Sequence, residues 1–229
     1  MVELFSLRSF LMSIPRVKIC CIASADEAAM AVRYGASALG LVSAMPSGPG
    51  PISEELIAEI IATVPKHIAT FLLTSKQDAD SIIAQQQKTK ANTLQLVDAV
   101  SSDVYSRLRK ELPGISIVQV IHVLNNHSVD EAQSVAPFVD MLLLDSGNPN
   151  LAVKELGGTG RRHDWNLSRQ IVASVNKPVF LAGGLRAENV REAIDIVQPH
   201  GLDLCSGVRT NGKLDELKLQ QFFETVTTK

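Results

Sequence analysis

Short apolar runs of strand length alternate along the chain with longer segments that carry apolar residues at helical spacing. The runs are rich in β-branched residues or leucine and are bounded by turn residues, which is typical of buried strands. They cover residues 17–22, 38–42, 67–73, 93–97, 115–123, 140–145, 179–184 and 202–207. The segments between and after them predict helices over 24–35, 53–64, 78–90, 101–112, 128–138, 164–175, 187–197 and 214–226, with Ser24 and Ser53 as N-caps.

Successive runs begin about 26 residues apart, which suits a strand, a helix and two short loops. Eight such units predict a closed (β/α)8 barrel of the TIM type, an α/β fold with a single domain over 17–229 and an N-terminal extension over 1–16. The alternative is an open doubly wound sheet, for which we would expect a different strand count and one dominant glycine-rich loop after the first strand.

Composition narrows the class of partner. Apolar residues make up 45% of the chain and aromatic residues 4%, so the predicted core is large and aliphatic. The 22 basic and 24 acidic residues give a net charge of −2, which argues against a nucleic-acid partner. The three cysteines form neither a disulfide framework nor a zinc motif, and no apolar run reaches about 18 residues. We therefore expect a cytoplasmic protein without a membrane segment that binds a small molecule.

In a barrel of this kind the site lies at the carboxyl ends of the strands. The seventh and eighth strands end in small-residue turns, whose backbone N–H groups can hold a phosphate, although ordinary turn geometry is the alternative. These turns contain Gly183, Gly184, Ser206 and Gly207. A glycine-rich stretch after the sixth strand predicts either a mobile lid or a plain flexible loop, and it comprises Gly157, Gly158, Thr159 and Gly160.

Two strand ends carry candidates for proton transfer. Asp145 closes the apolar run MLLLD, where it suits a general acid or, equally, a hydrogen-bonded turn. Cys20 lies near the end of the first strand, and a buried cysteine there is more often a small apolar residue than a base. Alternation along a strand directs only one of Cys20 and Cys21 toward the barrel axis. His122 is a candidate for the mouth of the barrel, and no histidine spacing predicts a metal site.

These motifs, taken in order, resemble the phosphoribosylanthranilate isomerase family of tryptophan biosynthesis from about Val17 to Thr225. VKICCI resembles the family's KICG strand, and LQLV at Leu94 resembles its QLHG strand. LLLDS, GGTGRRHDW, FLAGGLRAENV and DLCSGV follow in the family's order. The resemblance implies a barrel without a cofactor, monomeric or homodimeric, that converts a phosphoribosyl amine into an open-chain aminoketose. It also implies that Cys20 is the general base, that Asp145 is the general acid, and that the turns after the last two strands bind the phosphate.

The sequence departs from the family pattern at the end of the site that would hold the aromatic amine. The family has a Ser-x-Arg pattern after the second strand, whose arginine binds the anthranilate carboxylate, and here Gly50 or a neighbour replaces it. Cys21 replaces the glycine of KICG, and Asp98 lies at the mouth of the fourth strand. We hypothesise that another cation replaces the missing arginine, and the candidates are Arg161, Arg162 and Arg209. The alternative is that these are solvated surface arginines. An isomerase for a different ribosyl-phosphate amine and a non-catalytic phospholigand-binding barrel also remain open.

Two predictions follow from barrel geometry. The first and last strands are neighbours in a closed barrel, and alternation places Lys18 on the same face as Cys20, and Asp203 on the same face as Cys205. We therefore expect Lys18 and Asp203 to point inward and to form a fully hydrogen-bonded pair below the site. The same geometry predicts that Cys205 lies near Cys20 and that oxidation bridges these two thiols.

Overall fold

The computed structural model describes residues 14–228, and most of the predicted N-terminal extension lies outside the described residues. Eight parallel strands close into a barrel in which β1 pairs with both β2 and β8. The strands are β1 Arg16–Ile19, β2 Ala38–Val42, β3 Ala69–Thr74, β4 Thr93–Leu96, β5 Ser116–His122, β6 Met141–Asp145, β7 Val179–Leu181 and β8 Gly201–Leu204. The prediction of a closed (β/α)8 barrel is confirmed, and the open sheet is excluded.

A helix follows each strand and packs around the outside of the barrel. The helices are α1 Ala25–Tyr34, α2 Glu54–Thr63, α3 Ala79–Thr89, α4 Ser102–Glu111, α5 His127–Val135, α6 Trp165–Ser174, α7 Val190–Val197 and α8 Glu216–Thr227. The Ser24 and Ser53 side chains accept hydrogen bonds from the first turns of α1 and α2, which confirms both predicted N-caps. Among residues 14–228, none of these helices is long and apolar enough to cross a membrane.

The chain leaves the predicted pattern mainly near the last two strands. Helix α7 starts three residues later than predicted, because the Asn189 side chain bonds Gly184 and Arg186 and holds the intervening segment as a turn. Strand β8 ends at Leu204 instead of continuing to Gly207, and Ser206–Val208 form a turn of 3₁₀-helix. A short hairpin of β9 Arg209–Thr210 and β10 Lys213–Leu214, which the sequence pattern did not predict, leads into α8.

The apolar residues form two layers that together fix the strand ends. The larger layer lies between the outer faces of the strands and the helices, and includes fully buried Ile19, Leu39 and Leu72. The smaller layer fills the barrel interior, where Phe71 and Phe180 meet edge to face with ring centroids 6.0 Å apart. Residues at the carboxyl ends of the strands are thus held on a rigid, closely packed base.

Candidate active site

A cavity opens at the carboxyl ends of the strands, on the face predicted for the site. Of the fifteen residues predicted for the site, nine line it: Cys20, Asp145, Gly157, Gly158, Thr159, Gly160, Gly183, Gly184 and Ser206. Six others do not line it: Asp98, His122, Arg161, Arg162, Gly207 and Arg209. The proton-transfer candidates, the glycine-rich loop and the paired glycines after β7 therefore face one space.

Cys20 and Cys21 both line this cavity and both belong to the interior layer, so the expectation that only one of them points toward the barrel axis is wrong. Strand β1 ends at Ile19, and Cys21 has a φ of 61°, in the left-handed region. This conformation interrupts the alternation of side chains that a continuous strand would impose. The residue at this position is glycine in the related KICG motif, which fits the backbone conformation that Cys21 is obliged to adopt.

Lys18 and Asp203 point into the barrel, as predicted; Asp203 lines the floor of the cavity, and Lys18 lies beneath it. The Lys18 Nζ donates to Asp203 Oδ2 at 2.8 Å, and the lysine side chain is fully buried. The pair is less completely bonded than expected, because Asp203 Oδ1 is buried without a hydrogen-bond partner. The lysine ammonium also lies 5.2 Å from the centre of the Phe71 ring, a cation–π contact that supports the charge.

Burial acts against both charges of this pair. It raises the pKa of Asp203, and the attraction of Lys18 only partly offsets it. At Lys18, burial is outweighed by Asp203 and by the neighbouring thiols, so the pKa of the ammonium is raised. We treat the pair as ionised at neutral pH, because a neutral carboxyl would leave a buried ammonium without a counterion.

The lysine ammonium and the Cys20 sulfur converge beside Gly40 on β2. A Cβ at Gly40 would lie 2.8 Å from Cys20 Sγ and 2.9 Å from Lys18 Nζ, so a side chain there would displace both groups. The pKa of Cys20 is lowered, first by a hydrogen bond from Cys21; burial opposes this shift, and the Lys18 ammonium adds to it. The glycine thus leaves room for a cation to stabilise a buried thiolate.

Asp145 lies across the cavity at the end of β6, and the glycine-rich loop closes over it. Its Oδ1 accepts a hydrogen bond from the Ser146 N–H at 2.7 Å. Its Oδ2 faces Gly157, where a Cβ would come within 2.7 Å of the oxygen. The Ser146 and Thr159 hydroxyls share a 2.7 Å hydrogen bond that joins the loop to the strand end. Only a glycine at 157 lets the loop approach the carboxylate this closely.

The segment over residues 146–164, called the lid below, is also tied to the loop after β2. Ser47 donates to the Lys154 carbonyl at 2.6 Å, and Gly158 packs directly against the Pro49 ring. The Lys154 ammonium is paired with Asp98 at the end of β4. Asp98, predicted at the mouth of the barrel, therefore lies there and holds the lid, with its carboxylate turned away from the cavity.

The small-residue turns meet on the β7–β8 side of the cavity. Gly183 and Gly184 have φ values of 84° and 64°, and a Cβ at either would contact backbone oxygens of the lid at about 3 Å. A Cβ at Gly160 would lie 3.2 Å from Ser206 Oγ, so the lid and the turn after β8 are also in contact. Gly207 lies behind this wall, where its lack of a side chain lets the turn pack on the Leu185 carbonyl. Three segments of exposed backbone thus surround one end of the cavity.

His163 borders this end and was not selected from the sequence. Its Nε2 lies 2.7 Å from Ser168 Oγ, and its Nδ1 is buried without a partner near Gly183. Burial lowers the pKa of His163 to about 4, so the ring is neutral at physiological pH. Its position immediately after the glycine-rich stretch and before α6 was the available signal.

Gln95 was also missed, although the LQLV motif of β4 contains it. It lines the cavity, and its Oε1 is buried without a hydrogen-bond partner. Alternation along β4 was the available signal, because Gln95 lies one residue from the outward-facing Leu94 and Leu96. The same side of the cavity contains Val42, Met45, Leu73, Val97 and Leu156, which give it an apolar surface around Gln95.

None of the three arginines proposed as compensation lines the cavity. Arg209 is buried, pairs with Glu27 at 2.9 Å, and donates to the carbonyls of Cys20 and Cys21. Arg161 pairs with Glu155 on the lid, and Arg162 stacks on Trp165 at 3.6 Å. Arg209 therefore holds the end of β1, and the other two stand on the outer surface of the site.

His122 and Gly50 complete the set of predicted positions. His122 is the β-ladder neighbour of Asp145, but its Nε2 lies 3.0 Å from the Val97 carbonyl, outside the cavity. Gly50 has a φ of 82°, and a Cβ there would lie 2.7 Å from the Cβ of Cys21. The two departures from the family pattern therefore touch, since Cys21 fills the space that a side chain at 50 would enter.

Comparison with known proteins gives one consistent result. The family model for N-(5′-phosphoribosyl)anthranilate isomerase matches residues 17–225. The N-(5′-phosphoribosyl)anthranilate isomerase 2 of Methanosarcina mazei is 37% identical over 209 residues, which cover 90% of this chain and 92% of the relative. The structure of phosphoribosyl anthranilate isomerase from Thermococcus kodakaraensis superposes with a TM-score of 0.79 at 29% identity, and covers 94% of this chain and 100% of that one.

A further isomerase structure contains a bound molecule. It is a complex of phosphoribosyl anthranilate isomerase with reduced 1-(o-carboxyphenylamino)-1-deoxyribulose 5-phosphate, with a TM-score of 0.75 at 27% identity over 93% of this chain and 98% of that one. The family match spans every strand and helix of the barrel except the first residue of β1 and the last residues of α8. The chain belongs to the N-(5′-phosphoribosyl)anthranilate isomerase family.

Proposed function

We propose that this protein isomerises N-(5′-phosphoribosyl)anthranilate, an aminoaldose, to the open-chain aminoketose in tryptophan biosynthesis, in the cytoplasm and without a cofactor. The observation that carries the proposal is that Cys20 and Asp145 line one cavity together with the glycine turns of β7 and the lid. Support comes from the family match over residues 17–225 and from a related isomerase bound to a reduced carboxyphenylamino-deoxyribulose phosphate.

The proposed reaction begins at Asp145. Its carboxyl donates a proton to the ring oxygen of the sugar, so the bond between that oxygen and C1′ breaks and a protonated Schiff base forms at C1′. The hydrogen bond from Ser146 and the contact with Gly157 fix the carboxyl while the lid covers it. Exclusion of water protects the Schiff base from hydrolysis.

Cys20 then acts as the general base. Its thiolate removes the proton from C2′, and the electron pair moves into the C1′–C2′ bond while the Schiff base nitrogen becomes an amine. The resulting enol takes a proton at C1′ and loses the proton of its C2′ hydroxyl, so the C=C bond is replaced by the C=O bond of the ketone. Lys18 supports this step without contact to substrate, because its ammonium stabilises the thiolate from below.

The phosphate is proposed to bind at the β7–β8 end, with Gly183, Gly184 and the Ser206 hydroxyl as donors. Among the described residues that line the cavity there is no lysine or arginine. Binding therefore depends on backbone N–H groups and neutral side chains, which suits a dianion that must also leave as product. The aromatic ring is assigned to the apolar wall on the β2–β4 side.

The test is a fluorescence assay that follows consumption of N-(5′-phosphoribosyl)anthranilate. Cys20→Ser and Asp145→Asn should each lower kcat by about 10²–10⁴-fold, because each removes one proton-transfer group. Asp195→Asn, a change at an exposed carboxylate on α7, is the matched control and should leave kcat unchanged. Absence of turnover in the wild type, with phosphate sugars still raising its Tm, would instead favour a phospholigand-binding barrel.

A further inference from the structure

The three cysteines lie together where β1 and β8 meet, but not in the predicted arrangement. We expected Cys205 to approach Cys20 and to be bridged to it by oxidation. Instead the sulfur of Cys205 lies 2.8 Å from that of Cys21. The positive φ of Cys21 explains the difference, because it redirects this side chain across the end of β1 toward β8.

Cys21 and Cys205 are free thiols in contact, and the proposed reaction uses neither. Cys21 is buried, with the Pro49 carbonyl 3.6 Å from its sulfur. Cys205 is partly exposed, and both side chains line the cavity, so a small solute that enters the site reaches them. Among residues 14–228 no group of three His, Cys, Asp or Glu side chains is arranged to hold a metal ion, so a metal does not explain the cluster.

We propose that Cys21 and Cys205 are a redox modification site, at which a peroxide forms a reversible disulfide that inactivates the isomerase while Cys20 remains a thiol. A disulfide needs its sulfurs at about 2.05 Å, so a small movement of two side chains already in contact is sufficient. The effect on activity rests on the proposed function, whereas formation of the disulfide does not.

The chemistry balances with the peroxide as the only oxidant. The thiolate of Cys205 attacks one peroxide oxygen, an S–O bond forms as the O–O bond breaks, and the other oxygen leaves as water after taking up a proton. The Cys21 sulfur then attacks the Cys205 sulfur, the S–O bond breaks, and the departing hydroxide takes the Cys21 proton to form a second water. Two thiols are oxidised by two electrons in total, and one peroxide is reduced to two waters.

Two neighbours of the disulfide connect it to the site. Cys205 directly precedes Ser206, whose hydroxyl faces the lid, so a covalent link to β1 draws this turn away from its place. Cys21 directly follows Cys20, so movement of the Cys21 side chain toward Cys205 acts on the backbone next to the proposed base. Lys18 and Asp203 face Cys20 from β1 and β8 and are paired with each other.

The experiment treats the full chain with hydrogen peroxide and reads the linkage independently of activity. Of three free thiols, two should disappear, the intact mass should fall by two hydrogens, and a non-reducing peptide map should join Cys21 to Cys205. Cys20→Ser should still lose two thiols, whereas Cys205→Ser should form no internal disulfide. Activity of the wild type should fall at least tenfold and return with dithiothreitol.

Three results would overturn the proposal: a map that joins Cys20 to either neighbour, no loss of thiols, or full activity in protein shown to contain the Cys21–Cys205 link. The map is made on wild-type protein, so it remains decisive even if Cys205→Ser does not fold. If the reduced protein shows no isomerase activity at all, the proposed function fails and the switching role with it, while the map still decides whether this pair is the oxidation site.

Discussion

Replacement of the Lys18–Asp203 pair separates the effect of the pair on stability from its effect on catalysis. Lys18→Met removes the ammonium and leaves a buried carboxylate whose Oδ1 already has no partner. Breaking a buried ion pair from one side costs about 3–5 kcal/mol. The m-value increases with chain length, and at about 3 kcal/mol per M the urea midpoint should fall on the order of 1–2 M.

The same change should move the pH dependence of catalysis. Lys18 is the cation beside the Cys20 sulfur. Arg209 reaches Cys20 only through its backbone carbonyl, and Glu27 neutralises the guanidinium. A unit positive charge ~5 Å from the Cys20 sulfur, at an effective dielectric constant of about 20, stabilises the thiolate by roughly 3 kcal/mol. The pKa of Cys20 rises when this charge is lost. Because the proposed base is the thiolate, the acidic limb of kcat/KM should move upward by about 2 pH units.

The double change Lys18→Met with Asp203→Leu distinguishes the two effects. An apolar pair of similar volume often restores or exceeds the stability of a buried ion pair, so the urea midpoint should return close to that of the wild type. The acidic limb should stay above the wild-type position, because the attraction of Lys18 for the thiolate exceeds the opposing effect of Asp203. A Lys18→Met enzyme with an unshifted limb would refute the role of lysine in ionising Cys20, whatever its stability.

Three other positions give independent tests. Gly157→Ala places a Cβ against Asp145 at a φ of 138°, so strain of about 1–3 kcal/mol in the closed lid should lower kcat/KM by ~10–100-fold with the urea midpoint little changed; normal turnover would contradict this. Gly50→Ala should destabilise the wild type by about 1 kcal/mol more than it destabilises a Cys21→Gly variant, because the new Cβ lies 2.7 Å from the Cβ of Cys21 and glycine lacks that atom. Additive effects of the two changes in urea unfolding would argue against this contact. His163 has a pKa of about 4 in the folded protein and about 6.5 in the unfolded chain, so the unfolded chain binds more protons between these pH values. Up to about 3 kcal/mol of stability should therefore be lost as the pH falls from 6.5 to 4. The stability of His163→Gln should lack this pH dependence.

The sequence was sufficient for the features that depend on periodic patterns. Eight aliphatic runs predicted the strands because buried parallel strands are continuously apolar. Alternation in β1 and β8 placed Lys18 and Asp203 inside the barrel, since both strands are regular at those residues. The two predicted caps depended on local hydrogen bonds, which short-range sequence determines.

Prediction failed where backbone conformation or distant charge decides the outcome. Cys21 has a left-handed backbone conformation, which an apolar sequence segment does not indicate. This conformation places the Cys21 side chain in the cavity and brings its sulfur against that of Cys205. Arg209 was one of three candidates for the compensating cation, but Glu27, 182 residues earlier, neutralises it. Such a pairing exists only in the closed barrel, so no local pattern signals it.

The meeting of β1 and β8 also orders events during synthesis of the chain. Cys20 leaves the ribosome early, yet the Lys18–Asp203 pair joins residues 185 positions apart, and the Cys21–Cys205 contact joins residues 184 apart. Contacts of such long sequence separation form late, because the intervening loop must first be closed. A nascent chain that has built six or seven α/β units therefore still lacks the aspartate that pairs with Lys18 beneath the thiol. During refolding, recovery of activity should report closure of the ring, and it should lag behind the appearance of helices.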